Sequence, residues 1–477
     1  GDRLTFSNEG SDPQCYAASA CFSAWRSALV CAGSTMLAYD QLYCPAGVAD
    51  HMEFEPTPGT LLTATYPAAL TPVTTAIVSL YLASQVIGKM VMAGPEEIRR
   101  VANATGGVSL PGYWVASGLD RRGNPVATLT GDVLCGSIGA FPHRDGVDTG
   151  GAWWMPNSTS GNVEEWEATL PILYLYRREQ VDSGGAGRWR GGNGAETAIV
   201  PHKTDALNMQ IVACDPAINT SPGLAGGLPG HPGNYLLAEK TDVQRLLSGG
   251  TMPRDRADLE ERVGPLTRLS PKDNRVIGRS DVFTAEYSGG GAFGDPLLRE
   301  PRLVAQDREQ RRISVEAVGE KYGVVLGVDG TADLHATEVE RETLRKERLA
   351  MAHPPRNAGG VTVEKKTVRT VGDALGVTFA GDPRGEWACI ECGCILGSAA
   401  GNYKHGAATV ELNPYEVDRV AYPDPREFCG VPFVMRVSIC PGCGTILSTE
   451  CCRADAEPSA DIQLFPDGLR LLAHRTI

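Results

Sequence analysis

Apolar and polar positions fall into blocks along this chain. The run from Thr57 to Gly88 carries no charged residue, yet Pro58, Pro67 and Pro72 interrupt it and Thr and Ser fill much of it. A membrane-spanning helix needs about 20 predominantly apolar residues in sequence. The pattern therefore predicts a buried helix from Pro72 toward Met92 and no membrane partner. Pro72 suits a first-turn position, and Gly94-Pro95 makes the stop. Upstream, Leu4 to Gln14 reads as a strand entering a Gly-Ser-Asp-Pro turn, followed by an Ala- and Ser-rich helical run through Leu29. A chain opening inside a strand leads us to expect a strand partner supplied earlier or by another chain.

Further along, glycine replaces periodicity. Asp182 to Gly194 reads Asp-Ser-Gly-Gly-Ala-Gly-Arg-Trp-Arg-Gly-Gly-Asn-Gly, and Gly289 to Pro296 repeats that character. As a phosphate loop the first is weak, because it lacks the ordered Gly-Lys-Ser/Thr ending and no helix start follows. Arg188, Trp189 and Arg190 could take an anion, but a rigid turn on a sheet, with close backbone approach at Gly289–Pro296, is the better reading. From Leu297 to Met351 the composition turns charged and helical. Asp307–Tyr322 and Thr337–Ala350 read as solvated amphipathic helices with i,i+4 charge pairs. His353-Pro354-Pro355 and Gly359-Gly360 mark a linker over residues 351–360, dividing residues 1–350 from a cysteine-rich module at 361–477.

Length and charge narrow the class. The 477 residues exceed a single usual domain. Net charge is −13, which makes nucleic acid a poor partner. Of 14 cysteines, six scatter between Cys15 and Cys214 and read as small buried thiols. Eight crowd into Cys389–Cys452. Among them Cys389-Ile-Glu-Cys392 and Cys440-Pro-Gly-Cys443 form two C-x-x-C knuckles that can converge on one structural, four-thiolate Zn²⁺. Glycine after each second cysteine suits the turning backbone. Four thiolates leave no open position for catalysis. With no secretory pattern visible, a reducing cytoplasm favours metal over disulfide. Cys394, Cys429, Cys451 and Cys452 stay open as alternative ligands.

Catalytic signatures are sparse. The chain shows no nucleophile elbow, no His-Glu-x-x-His and no Walker loop. His143, beside Arg144-Asp145-Gly146, is the one histidine in a chemically suggestive turn. His143 and Asp145 are the candidate catalytic pair, against the commoner role of a hydrogen-bonded loop histidine.

Three blocks carry a resemblance. Asp145-Gly146, Asn157-Ser158 and Glu164-Glu-Trp-Glu167 lead into the Asp182–Gly194 run; then comes Gly289–Pro296; then Tyr322-Gly-Val-Val-Leu326 with Asp333, Ala336-Thr337 and Arg348. In this order they resemble the closing half of the hydantoinase B/oxoprolinase family over roughly residues 1–350, and Phe6–Gln14 is similar to a strand-turn of that family. Trp387–Gly393, Asn402-Tyr403-Lys404 and Cys440–Gly444 resemble the small zinc-bearing subunit of the acetone and acetophenone carboxylases. The resemblance implies an α+β fold, a mixed-sheet hydantoinase B-like portion followed by a small zinc-ribbon-like domain. It implies a subunit of a biotin-independent, ATP-dependent ketone carboxylase, with an ATP-dependent cyclic amide hydrolase as the alternative. It further implies a hydantoinase A-like partner holding ATP with Mg or Mn, and an N-terminal hydantoinase B segment with its catalytic metal, supplied by a sister chain unless this chain is a fragment of a longer one. A small ketone and bicarbonate would be the substrates. In that chemistry the partner phosphorylates the enol and bicarbonate, and the carbon–carbon bond forms in a closed site that excludes water.

Overall fold

The computed structural model describes residues 3–15, 18–41, 44–70, 72–107, 113–129, 136–151, 161–212, 221–357, 360–417, 422–427 and 430–474. Asn157-Ser158, Cys135, Cys214, Cys429 and Gly359 lie outside the described residues.

The N-terminal part runs β1 (Leu4–Ser7), α1 (Phe22–Leu37), the short α2 (Pro45–Ala49), β2 (Met52–Glu55) and α3 (Pro72–Met92). The expected Leu4–Gln14 strand shortens to four residues because Asn8 turns the chain. Its amide donates to the Thr60 and Thr63 hydroxyls, and its oxygen accepts from the Thr57 N–H at 2.6 Å. β1 finds a partner in its own chain: it pairs in parallel with β2, Leu4 opposite Met52. Among the described residues β1 and β2 form a two-stranded sheet, so the strand expected to pair with a segment supplied earlier or by another chain has one partner within this chain. α3 spans the predicted range. Leu80, Ala83, Ile87 and Val91 pack on Trp25, Leu29, Ala32 and Met36 of α1. The window Thr75–Met92 is apolar and long enough to cross a membrane, but 56% of it is buried inside this fold, as in a core helix. Leu82, Val86 and Met90 form an exposed stripe on its other side.

The middle of the chain builds a layered body. After α4 (Glu96–Arg99) come β3 (Tyr113–Leu119), β4 (Pro125–Leu129), α5 (Val163–Thr169), β5 (Ile172–Glu179), β6 (Ala195–Pro201) and β7 (Ala206–Val212). Next are β8 (Asn234–Ala238), α6 (Val243–Ser248), α7 (Arg256–Val263), β9 (Thr267–Arg268), β10 (Lys272–Gly278) and β11 (Val282–Glu286). Two antiparallel sheets result, ordered β10-β7-β3-β4 and β5-β6-β11-β8-β9. Trp114, Met209 and Ile211 of the first interleave with Ile172, Ile199, Tyr235 and Phe283 of the second. The far face of the second sheet carries Leu175, Ala198, Val200 and Val282 against Val243 and Leu259 of α6 and α7. Each sheet is thus apolar where it meets another layer.

The charged segment differs from the expectation of one solvated helix over Asp307–Tyr322. It forms α8 (Pro301–Glu309) and α9 (Val315–Glu320), separated at Arg311, whose φ is +58°. Val304, Ile313, Ala317, Val318 and Tyr322 are buried together with Ala186 of the glycine-rich run. Asp307 is buried as well, because it is an ion-pair partner of the core. α10 (Leu334–Met351) covers the second predicted helix and starts on an Asp333 cap, which accepts from the Ala336 N–H at 3.0 Å.

The cysteine module contains β12 (Val368–Thr370), β13 (Leu375–Thr378), β14 (Glu386–Cys389), β15 (Ile395–Ser398) and β16 (Ala408–Leu412). α11 (Pro414–Val417), β17 (Phe433–Ile439), β18 (Ile446–Arg453) and α12 (Pro466–His474) complete it. Its strands form two antiparallel sheets, β12-β13-β14-β15 and β16-β17-β18. Residues 351–357, expected as a linker, are pinned to it: the His353 N–H donates to the Thr409 carbonyl at 2.8 Å and the reverse bond is 3.0 Å. The scattered thiols are less buried than expected. Cys15 and Cys44 are exposed and Cys21 and Cys31 half-buried.

Candidate functional site

Two hairpin tips meet in the cysteine module. Cys389 ends β14 and Cys392 lies in the turn to β15; Cys440 follows β17 and Cys443 lies in the turn to β18. Each turn closes by a backbone bond, from the Gly393 N–H to the Cys389 carbonyl and from the Gly444 N–H to the Cys440 carbonyl. Gly393 at φ +77° and Gly444 at +71° take the left-handed region that a side chain resists. The four sulfurs lie within 4.8 Å of one another, with 3.8 Å from Cys389 to Cys443 and 3.4 Å from Cys392 to Cys440. A tetrahedral site with Zn–S of about 2.3 Å has sulfur–sulfur edges of about 3.8 Å. The residues therefore fit a zinc ion, and no other group of this kind occurs among the described residues. Hydrogen bonds among the thiols hold Cys392 and Cys443 below their ordinary value and push Cys389 and Cys440 up. Cys394, Cys451 and Cys452 stand outside the group of four.

The glycine-rich blocks pack backbone on backbone. A Cβ at Gly191 would sit 1.9 Å from the Gly290 carbonyl oxygen, and one at Gly289 would sit 1.7 Å from that of Ser183. Such approaches exclude any side chain. The Gly185, Gly290 and Gly291 N–H groups donate to the carbonyls of Gly290, Gly192 and Thr105 at 2.8, 2.9 and 2.8 Å. Segments that lack side chains to bury are thereby satisfied by each other's peptide groups.

At one edge of these layers lies a network of three arginines and three aspartates. Arg299, fully buried, clamps Asp145 at 2.6 and 2.7 Å and Asp307 at 2.7 Å. Arg190, also buried, holds Asp148 at 2.8 and 3.2 Å, and Arg312 reaches Asp148 at 3.0 Å. The charges cancel, which a buried cluster requires. Burial opposes the charge on Asp145, but the Arg299 bonds prevail and hold its carboxyl below the usual range.

His143 and Asp145 are therefore not a pair. Asp145 turns inward to Arg299 and accepts from the Arg190 N–H at 2.7 Å, whereas His143 is exposed with its ring 6.0 Å from that of Phe141. Partial burial, with Arg100 and Arg144 nearby, lowers the His143 imidazole below its ordinary value. Sequence reasoning missed the Arg299 and Asp307 partners, because an ion pair across 154 residues leaves no local pattern. It also missed Glu196 and Glu286, opposite each other on β6 and β11. Glu286 is held by Arg256 and Asn234, each at 2.9 Å. Burial and the Glu286 charge push Glu196 up to about 8.

The cysteine module is seated on the body. Buried Asp295, in the second glycine block, accepts from the Ile446 N–H at 2.8 Å and from Arg348 at 2.9 Å. Arg188 meets Asp373 at 3.1 Å, and Lys89 of α3 pairs with Asp461 at 2.5 Å.

A two-sheet body laced with glycine layers and carrying a thiolate knuckle centre defines an α+β protein with a zinc-ribbon-like appendage. The family model described as Hydantoinase B/oxoprolinase matches residues 1–296, and the chain belongs to that family. It is 32% identical over 232 residues to the acetone carboxylase alpha subunit of Xanthobacter autotrophicus, covering 45% of this chain and 30% of that protein. It is 27% identical over 244 residues to the acetophenone carboxylase delta subunit of Aromatoleum aromaticum, 47% of this chain and 35% of that one. Caprolactamase subunit beta of Pseudomonas jessenii is 28% identical over 290 residues, 59% and 45% respectively. The chain thus spans less than half the length of these relatives. Among solved structures, nucleotide-free acetone carboxylase shares the fold at TM-score 0.64 and 23% identity, over 74% of this chain and 48% of that one. The ATP-dependent caprolactamase of Pseudomonas jessenii does so at 0.56 and 23%, over 72% and 55%.

Proposed function

We propose that this chain is part of a biotin-independent, ATP-dependent ketone carboxylase that fixes bicarbonate to a β-keto acid in the cytoplasm, active only in a complex. What carries the reading is the combination in one chain of a hydantoinase B body, similar to two ketone carboxylase subunits, with a four-cysteine centre seated on it. ATP with Mg or Mn belongs on a hydantoinase A-like partner, and the catalytic metal on the N-terminal hydantoinase B segment, whether in a sister chain or in a longer form of this one. Cys389, Cys392, Cys440 and Cys443 would hold zinc, which supplies cross-linking and no chemistry. The chain divides at residues 351–360 into the hydantoinase B-like portion and the zinc domain. His143, exposed on its loop, is the candidate for contact with the reacting centre. Asp145 is a positioning residue, tying the loop of His143 to Arg299.

The caprolactamase likeness, which covers the larger share of this chain, favours a second reading as a subunit of an ATP-dependent cyclic amide hydrolase. One experiment separates them. The complex purified from its own cells is given ATP with labelled bicarbonate and a small ketone, or with a lactam. Avidin-insensitive label in a β-keto acid supports the carboxylase; ring opening without bicarbonate dependence supports the hydrolase.

A further inference from the structure

The metal knuckle and the glycine layers are joined through a few residues. Ile446 opens β18 three positions after Cys443, and its N–H is one of the groups that satisfy the buried Asp295 carboxylate. The Thr449 hydroxyl, on the same strand, donates to the Gly227 carbonyl at 2.6 Å. Between them the Ile446 carbonyl oxygen lies 2.5 Å from where a Cβ on Gly226 would be, at φ +96°. Gly226 and Gly227 belong to the turn that supports the second glycine block. Leu224 donates to the Ala292 carbonyl at 2.8 Å, Ala292 to Leu228 at 3.0 Å, and Gly294 to Leu224 at 3.1 Å. Gly291 in turn accepts from the Ala140 N–H at 2.9 Å, three residues before His143.

We propose that occupancy of the four-cysteine centre controls the order of the glycine-layered core and the loop of His143, acting through the start of β18. The inference rests on the metal reading above. The four cysteines lie beside Trp387, Leu396, Tyr403 and Leu447 where the two sheets of the module meet, and a metal there would tie the knuckles together. When they loosen, β18 withdraws the Ile446 donor from Asp295 and the Thr449 donor from Gly227. The glycine positions in these layers have no side chains to replace the lost bonds, although Leu224, Leu228 and Phe293 pack beside them. Coupling of this kind is reciprocal, so weakening the seat must also weaken metal retention.

The test uses the full chain, with zinc content measured on every sample. Zinc is stripped with a chelator, and backbone hydrogen exchange is compared before and after. The expected result is faster exchange in residues 223–230 and 287–294 as well as in 386–453. In parallel, Thr449→Val and Asp295→Asn should release zinc to a chromogenic chelator about tenfold faster, within the 5–150-fold range of ordinary couplings, although neither side chain contacts a sulfur in the group of four. Thr449→Val removes one half-buried hydroxyl at near-constant volume and keeps the test alive should Asp295→Asn not fold. Unchanged exchange in 223–230 and 287–294 after verified zinc loss overturns the coupling, as does zinc release at the parental rate from folded variants. A chain that neither contains nor takes up zinc overturns the metal reading itself, and the zinc content alone identifies that case.

Discussion

The glycine-layered body and the cysteine module face the same problem and solve it differently. Both contain turning backbone with few side chains to bury. In the body, Gly191 and Gly289 let peptide groups approach until they bond to one another, and the Arg–Asp network locks the edge. In the module, two glycine-closed turns bring four sulfurs together beside a packed core, where a cation would tie them. The first solution is intrinsic to the chain; the second, on the zinc reading proposed above, would add an exchangeable ion. The difference predicts that metal supply acts on one region directly and on the other only through their shared seat at Asp295 and Gly227.

The largest effect should follow from breaking the metal centre. A structural zinc ties on the order of 10 kcal/mol to folding. Cys389→Ser or Cys443→Ser should lose the zinc and the protease resistance of residues after about 361. Full zinc content with unchanged proteolysis would show that the ligand set is wrong.

Next comes the intrinsic lock. Arg299→Ala leaves Asp145 and Asp307 facing each other without their shared cation, which should cost about 3–5 kcal/mol. Urea unfolding of the zinc-loaded protein measures this. A loss under 1 kcal/mol would mean that the network is spectator charge.

A smaller, pH-dependent effect belongs to Glu196. Its folded pKa is raised to about 8 by burial and by Glu286, so the folded state holds the proton more tightly than the unfolded chain. That contribution is complete below about pH 4, the unfolded value, and is lost as pH rises through 8. Stability should therefore fall by a few kcal/mol between pH 5 and 9. Glu196→Gln should flatten the slope, and an unchanged slope would assign the titration elsewhere.

The smallest effect on stability should come from His143→Ala, within about 0.5 kcal/mol because the ring is exposed. Turnover by the complex is where this variant should register, by at least tenfold, within what a positioned acid or base supplies, with ATP binding by the partner unchanged. Wild-type turnover would remove His143 from the reacting centre.

Much was legible from the chain alone. Pro72 and Gly94-Pro95 bracket α3 because proline and glycine act locally, and the C-x-x-C-Gly spacing announced each knuckle for the same reason. The glycine runs announced close backbone approach, though not what approached what. Only the tertiary structure decided that Asp145 belongs to Arg299 rather than to His143, and that Asp307 lies in the core. Only it revealed that β1 pairs with β2, and that Asp295 holds β18 of the cysteine module. Turns, caps and ligand spacings depend on residues a few positions apart, so a sequence records them. Ion-pair choice and the packing of side-chain-free backbone depend on groups a hundred or more residues away, and the folded chain is where those distances collapse.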